Sequence, residues 1–327
     1  MKKLLIIAVL VLASVFFLGS SENSRLPQLS YEEKPYYIGD NELIATIGGL
    51  PLYFDEFRYH AYTILDELGL DPETADWDYT EGLTDEVIDG AIKKAARWRV
   101  TELASKDAGI EADESAVMAN AAAVSGDWVT RRVAINSARA YVLGKLLFTD
   151  KYGPFGNRLS DDDAYIFGAE SGIIRVKSLY FSTTTPLITE KEINAKREQA
   201  SIFASEIKSG YASFDDIMRV YGEAEADTDG YQFSSGGISG ELYSAASSLA
   251  IGESGGVVEV KDDGLYILMR LELQLDDTVN GMMGTLRYNA ASSLYNKYID
   301  SLCEKAVIVY EDAYERINPS LCFRASL

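Results

Sequence analysis

Apolar and polar positions alternate along this chain with three different periods. From Leu4 to Leu18 the run is unbroken, 15 apolar or small residues behind Met1-Lys2-Lys3 and ahead of Gly19-Ser20-Ser21. A short basic start, an apolar stretch and small residues at its end make the three-part pattern of an export signal. A comfortable membrane span takes roughly 20 residues. Residues 1–21 therefore read as a signal peptide, with an uncleaved N-terminal anchor left open; no cysteine follows for a lipid anchor. Residues 22–40 hold two prolines and no periodicity, and read as a polar tether.

Period two comes next. Leu43 to Ile47 predicts a strand, Gly48-Gly49 a turn, and Leu50 to Tyr53 its return. A helical period follows. Asp55 opens a helix carrying Phe57, Tyr62, Ile64, Leu65 and Leu68, which Gly69 and Asp71-Pro72 end. Ile88, Ala91, Ile92, Ala95, Trp98 and Leu103 predict a second helix over 84–104. Helices are expected at 113–124 and 127–150, and Ser160 is an N-cap with Asp161, Asp162 and Asp163 in the first turn.

The pattern then changes. Ile173 to Phe181 reads as a strand, and Thr189-Glu190-Lys191-Glu192 is a capping box before Ile193, Ala200, Phe203, Ala204 and Ile207. Ser213 is expected to cap a short helix with Phe214, Ile217, Met218 and Tyr221 inward. A Gly/Ser-rich stretch, 230–240, leads to a third short helix at 242–249. Val257 to Val260 and Leu265 to Leu271 form a hairpin around Asp262-Asp263-Gly264. The order is β-α-α-α-β-β. Met283, Leu286, Ala290, Leu294, Tyr298 and Leu302 mark a long closing helix expected to pack back on the first helices. The fold class is α+β.

Charge and composition narrow the chemistry. With 30 Lys+Arg against 51 Asp+Glu, the net charge over 327 residues is −21, which repels nucleic acid and anionic membrane surfaces. His60 is the sole histidine, so no site needing two imidazoles can be built. His60 itself reads as a packing or surface residue of the first helix. Cys303 and Cys322 could pair, or could be one buried and one tail thiol; both readings stand. Glu225 to Gly230 begins like a calcium loop, but its twelfth position is Gly236, so it reads as a solvated acidic loop. Trp77, Trp98 and Trp128 read as core. No metal or cofactor is called for. The 21 tyrosines offer apolar area with a hydroxyl tip.

Several strings point to a family. Leu242, Ala245-Ala246, Leu249, Gly252-Glu253, Val257-Val258, Gly264 and Ile267-Leu268 follow one another at characteristic intervals. Glu206-Ile207-Lys208-Ser209-Gly210 precedes Ser213-Phe214, and Ile44 to Gly49 precedes Glu56-Phe57. These strings resemble the parvulin module and the chaperone half of PrsA/SurA-type extracytoplasmic foldases. The resemblance implies a helical chaperone domain at 41–171, an inserted parvulin-like antiparallel-sheet domain at 172–275, and a returning helix plus tail at 276–327. It implies unfolded or proline-containing exported polypeptides as partners, an extracytoplasmic location, and leaves a homodimer open. The family's two histidines fall on Ser178 and Tyr266, and its substrate-facing Cys or Asp near Ala224, beside Glu225. Its proline-pocket Met and Phe fall on Ile238 and Leu242, with Phe233 as a further pocket residue; a usual Ser or Thr becomes Lys261. A chaperone with a weak or silent isomerase is expected; the alternative is an active, divergent peptidyl-prolyl cis-trans isomerase.

Overall fold

The computed structural model describes residues 38–72, 74–77, 82–224 and 227–323. The expected signal at 1–21, most of the tether, and Glu225 lie outside the described residues. Strand β1 (Leu43–Ile47) turns through Gly48 and Gly49 into β2 (Leu50–Tyr53). Both glycines have positive φ, 57° and 82°, as a two-residue hairpin turn of matching twist requires. Five helices follow: α1 (Phe54–Glu67), α2 (Leu83–Asp107), α3 (Glu114–Ala121), α4 (Arg131–Tyr152) and α5 (Asp161–Glu170). Phe57, Ala61 and Leu65 of α1 meet Val87, Ala91 and Ala95 of α2 in one core, where the alanines let the helices approach closely. Asp113, Thr130 and Ser160 cap their helices by accepting backbone N–H bonds, which sets the start of α4 at Arg131, four residues later than the sequence suggested.

The second sheet begins with β3 (Ile174–Ser182), then α6 (Glu190–Lys208), α7 (Phe214–Tyr221), β4 (Tyr231–Phe233), α8 (Gly240–Ser247), β5 (Ser254–Val260) and β6 (Gly264–Leu271). Its order is β4-β3-β6-β5, antiparallel throughout. The expected capping box at Thr189 and Glu192 is present. Ser213 sits at the N-cap of α7 but makes no side-chain cap bond. The sequence missed β4. Three residues carry no readable period, and the strand depends on long-range pairing of Ile174 with Phe233 and on Gln232, whose side chain accepts from Gln274 N at 3.0 Å.

Helix α9 (Leu286–Lys305) returns to pack on α2 and α5. Met283, expected on this helix, precedes it and is exposed. Strand β7 (Ile308–Tyr310) then pairs with β1, so the predicted hairpin becomes a three-stranded sheet, β2-β1-β7. After α10 (Pro319–Cys322), Phe323 is buried between Trp77 and Trp128. Cys303 and Cys322 are both free thiols, and burial pushes Cys322 up to about 12. The architecture is α+β. Among the described residues no helix is long and apolar enough to cross a membrane.

One turn is strained. Ile188 N donates to Thr185 O at 3.1 Å, Pro186 occupies the second position, and Leu187 the third, with φ of 72° and 98% exposure. A type II turn wants glycine there. Leu187→Gly is expected to stabilise the fold by about 1 kcal/mol, since the left-handed region costs an L-residue roughly 1–2 kcal/mol. A higher denaturation midpoint checks this; a lower one would show that the leucine side chain offsets its own strain.

Candidate functional site

Residues directly opposed in a sheet share a face, and faces alternate along a strand. Ser178 lies opposite Leu268, and Tyr180 opposite Tyr266, which in turn faces Val258. Ile174 lies opposite Phe233. All of these point to the side of the sheet covered by α8. Leu179, Phe181, Leu265 and Ile267 point to the other side and pack under α6 and α7. The structure therefore brings Ser178, Tyr266, Phe233, Ile238 and Leu242 to one face. Ser178 and Tyr266 are diagonal neighbours on it, a relation that usually spans about 7–8 Å.

The polar end of this face is built on the hairpin turn. Tyr266 donates to Asp263 Oδ2 at 2.7 Å, and the Tyr180 hydroxyl lies 3.3 Å from both Asp263 O and Oδ1. The two rings are 4.9 Å apart. Gly264 is required beneath them, because a Cβ there would lie 2.4 Å from the Tyr180 ring. Burial, then the bond to Asp263, raises the Tyr266 pKa, so its phenol stays protonated and acts as a donor. Sequence reasoning missed Tyr180. Its signal was available: it stands two residues beyond Ser178 on one strand.

The apolar end is filled. Phe233 and Leu242 are only 8% and 9% exposed and pack against Ile174, Val176, Ala246 and Leu268; Ile238 is partly buried beside them. Ser239 caps α8 through Leu242 N, which fixes where Leu242 enters the cluster. Ala224 and Lys261 are exposed. Near Ala224 the engaged acid is Glu223, which accepts from Ser182 N and Lys196 Nζ, both at 2.8 Å, and pins the end of β3. In the acidic loop, Asp227 Oδ1 accepts from Asp229 N and Gly230 N, and Oδ2 from Asn280, so this carboxylate shapes a turn.

A second concavity lies among α2, α4 and α9. It is an open groove of about 530 Å³. Its walls are Trp98, Tyr141, Phe148, Tyr288 and Tyr295. Phe148 meets the rings of Tyr288 and Tyr295 edge-on at 5.6 and 5.7 Å. Ala140, Gly144 and Thr101 keep its floor low. Tyr141 and Tyr288 are exposed, 58% and 42%. Trp98, expected in the core, is half-buried and forms part of this wall.

Compared with family models and with curated proteins, the chain matches none. Among solved structures it is similar to the foldase protein PrsA of Streptococcus pneumoniae, at 14% identity over 72% of this chain and 93% of that one, with a TM-score of 0.30. It is similar to a SurA-like chaperone of Campylobacter jejuni, at 11% identity over 83% and 100%, TM-score 0.29. It is also similar to a peptidyl-prolyl isomerase of Candida albicans, at 17% identity over 47% and 85%, TM-score 0.27.

Proposed function

We propose that this chain is an extracytoplasmic foldase of the chaperone kind, holding unfolded exported polypeptides, with a parvulin-like domain at 172–275 of little or no isomerase activity. The observation that carries this reading is the contrast between the two concavities. The positions that would grip a proline ring, Phe233 and Leu242, are buried in the cluster between the sheet and α8, whereas the groove among α2, α4 and α9 is open and walled by aromatic rings. Aromatic side chains with polar tips offer apolar contact without demanding a sequence.

Prolyl isomerisation needs little covalent chemistry but a site that binds the twisted imide better than either planar form, against a barrier of roughly 18–20 kcal/mol. Packing of Phe233 and Leu242 into the cluster between the sheet and α8 supports the weak or silent reading. The active-isomerase alternative draws on one feature, the hydroxyls of Ser178, Tyr180 and Tyr266 gathered on a single face. Export, from the apolar run at 4–18, and the division of the chain at 171/172 and 275/276 belong to the same reading.

The test pairs two assays on one preparation. Suppression of aggregation of an unfolded protein is expected, with prolyl-peptide isomerisation at or near the spontaneous rate. Catalysis lost in Ser178→Ala and Tyr266→Phe would instead establish an enzyme in which hydroxyls work where the family has histidines.

A further inference from the structure

We infer that the groove among α2, α4 and α9 selects polypeptide segments that carry a carboxylate one or two residues from an apolar side chain, with Lys145 as the residue that reads the acid. This rests on the reading that the chain holds unfolded polypeptides, and it names the segments the groove favours. The sign is opposite to that of the whole chain, whose 51 Asp+Glu against 30 Lys+Arg would draw basic segments. Among the described residues, the groove's lining includes Arg97 and Lys145 and no carboxylate.

The two cations differ. Arg97 is already answered by an ion pair with Asp300, and it donates to Asn296 Oδ1 at 2.7 Å. Lys145 is exposed and has no ion pair among the described residues; its nearest aromatic company is the Tyr141 ring, 5.8 Å away and one turn back on α4. Ser137, Ser292 and Asn296 also line the groove, and their hydroxyls and amide nitrogen can donate to an anion.

The apolar half adjoins this cation. Beyond Phe148 and Tyr288 the wall continues into exposed apolar residues, Met283 at 91% and Phe155 at 73%. Both are tied to the Tyr288 end: Asn289 Nδ2 donates to Met283 O at 2.8 Å, and a Cβ on Gly156 would lie 3.1 Å from Tyr288 Cα. Phe148 stands three residues beyond Lys145, a rise of roughly 4.5 Å along the helix. An extended segment advances about 3.3 Å per residue. An apolar side chain seated on Phe148 and Tyr288 therefore leaves a carboxylate one or two positions away within reach of Lys145. At about 0.15 M salt, charges beyond roughly 8 Å are screened, so this contact outweighs the net charge.

The experiment uses the full chain and a labelled peptide with one glutamate beside a leucine pair, amidated at its C-terminus so that it holds no other carboxylate. Fluorescence anisotropy compares it with the same peptide carrying glutamine or lysine in place of the glutamate. The glutamate peptide is expected to bind about threefold more tightly than the glutamine one, with lysine weakest. The preference should shrink as salt is raised. Lys145→Glu should reverse the order, while Lys93→Glu, the same change in net charge at an exposed position of α2 outside the groove, should keep it; thermal midpoints verify folding of both. Equal affinities, or an order that shifts alike in the two variants, with aggregation still suppressed, would overturn the selection and leave the foldase reading standing. Loss of all peptide binding and of aggregation suppression in the unaltered chain would overturn both. If Glu32→Gln with Glu33→Gln raises glutamate-peptide affinity threefold, the groove belongs to the chain's own tether, and the assignment to a bound polypeptide falls. A dimer that the peptide dissociates would give the groove to a second copy and overturn it likewise.

Discussion

Arg99→Met is expected to lower the unfolding free energy by about 3–5 kcal/mol, the usual result of leaving a buried charge without its partner. Glu56 is wholly buried and Arg99 nearly so. Arg99 Nη2 donates to both Glu56 oxygens at 2.7 Å, and its Nε and Nη2 donate to Pro51 O at 3.0 and 2.7 Å. Asn136 adds a bond to Glu56 Oε1 at 2.9 Å. One guanidinium thus joins β2, α1 and α2, with α4 held through Asn136. Without it, Glu56 keeps the amide of Asn136 and the positive pole of α1, so the loss should fall nearer the lower figure. Glu56→Gln combined with Arg99→Met should recover part of it, because no charge is then stranded. Urea unfolding read by tryptophan fluorescence is the measurement, since all three tryptophans lie between residues 77 and 128. A loss below 1 kcal/mol would mean that water reaches the carboxylate. As the pair is buried, added salt should change the result little.

That ion pair also shows what could be read from the sequence and what could not. Elements set by local signals were legible: the Gly48-Gly49 turn, the capping box at Thr189, the N-cap at Ser160 and the hairpin at Asp263-Gly264 each declare themselves within a few residues. Elements set by distant partners were not. Strand β7 is three residues long and exists because β1 offers it an edge more than 250 residues away. Nothing near Phe323 announces that Trp77 and Trp128 will enclose it. The candidate face was half legible. Period two on β3 and β6 sufficed to place Ser178 and Tyr266 on one side. Whether Phe233 and Leu242 would line a slot or fill it depended on how closely α8 packs, which no spacing encodes. The aromatic groove was hidden for the same reason: Trp98, Tyr141 and Tyr295 come from three helices, and each alone looks like a core residue.

His60 carries the second large effect, and its sign follows from burial. It is 2% exposed, its ring meets Trp98 edge-on at 4.3 Å and Tyr59 at 5.5 Å, and its Nε2 has no hydrogen-bond partner. Burial, with Lys94 and Arg99 nearby, lowers its pKa from 6.5 to about 3. Between those values the unfolded chain binds a proton that the folded chain refuses. Stability is therefore full above pH 6.5 and falls as pH drops, by up to about 1.4 kcal/mol per unit, levelling near pH 3 after a loss on the order of 4–5 kcal/mol. The carboxylates of Glu259 and Asp276, held low by Arg197 and Arg287, add acid sensitivity of the same sign, but they are common to any variant at residue 60. His60→Leu removes the imidazole without leaving a buried polar atom, so its stability at pH 7 should equal or exceed that of the original chain. The difference between the two should then grow steadily from pH 6.5 to 4, and parallel curves over that range would refute the assignment. Trp98 links this to the groove. A proton on His60 would place a charge against the Trp98 ring that walls the groove, and peptide binding there is expected to weaken over the same pH range and to hold in His60→Leu.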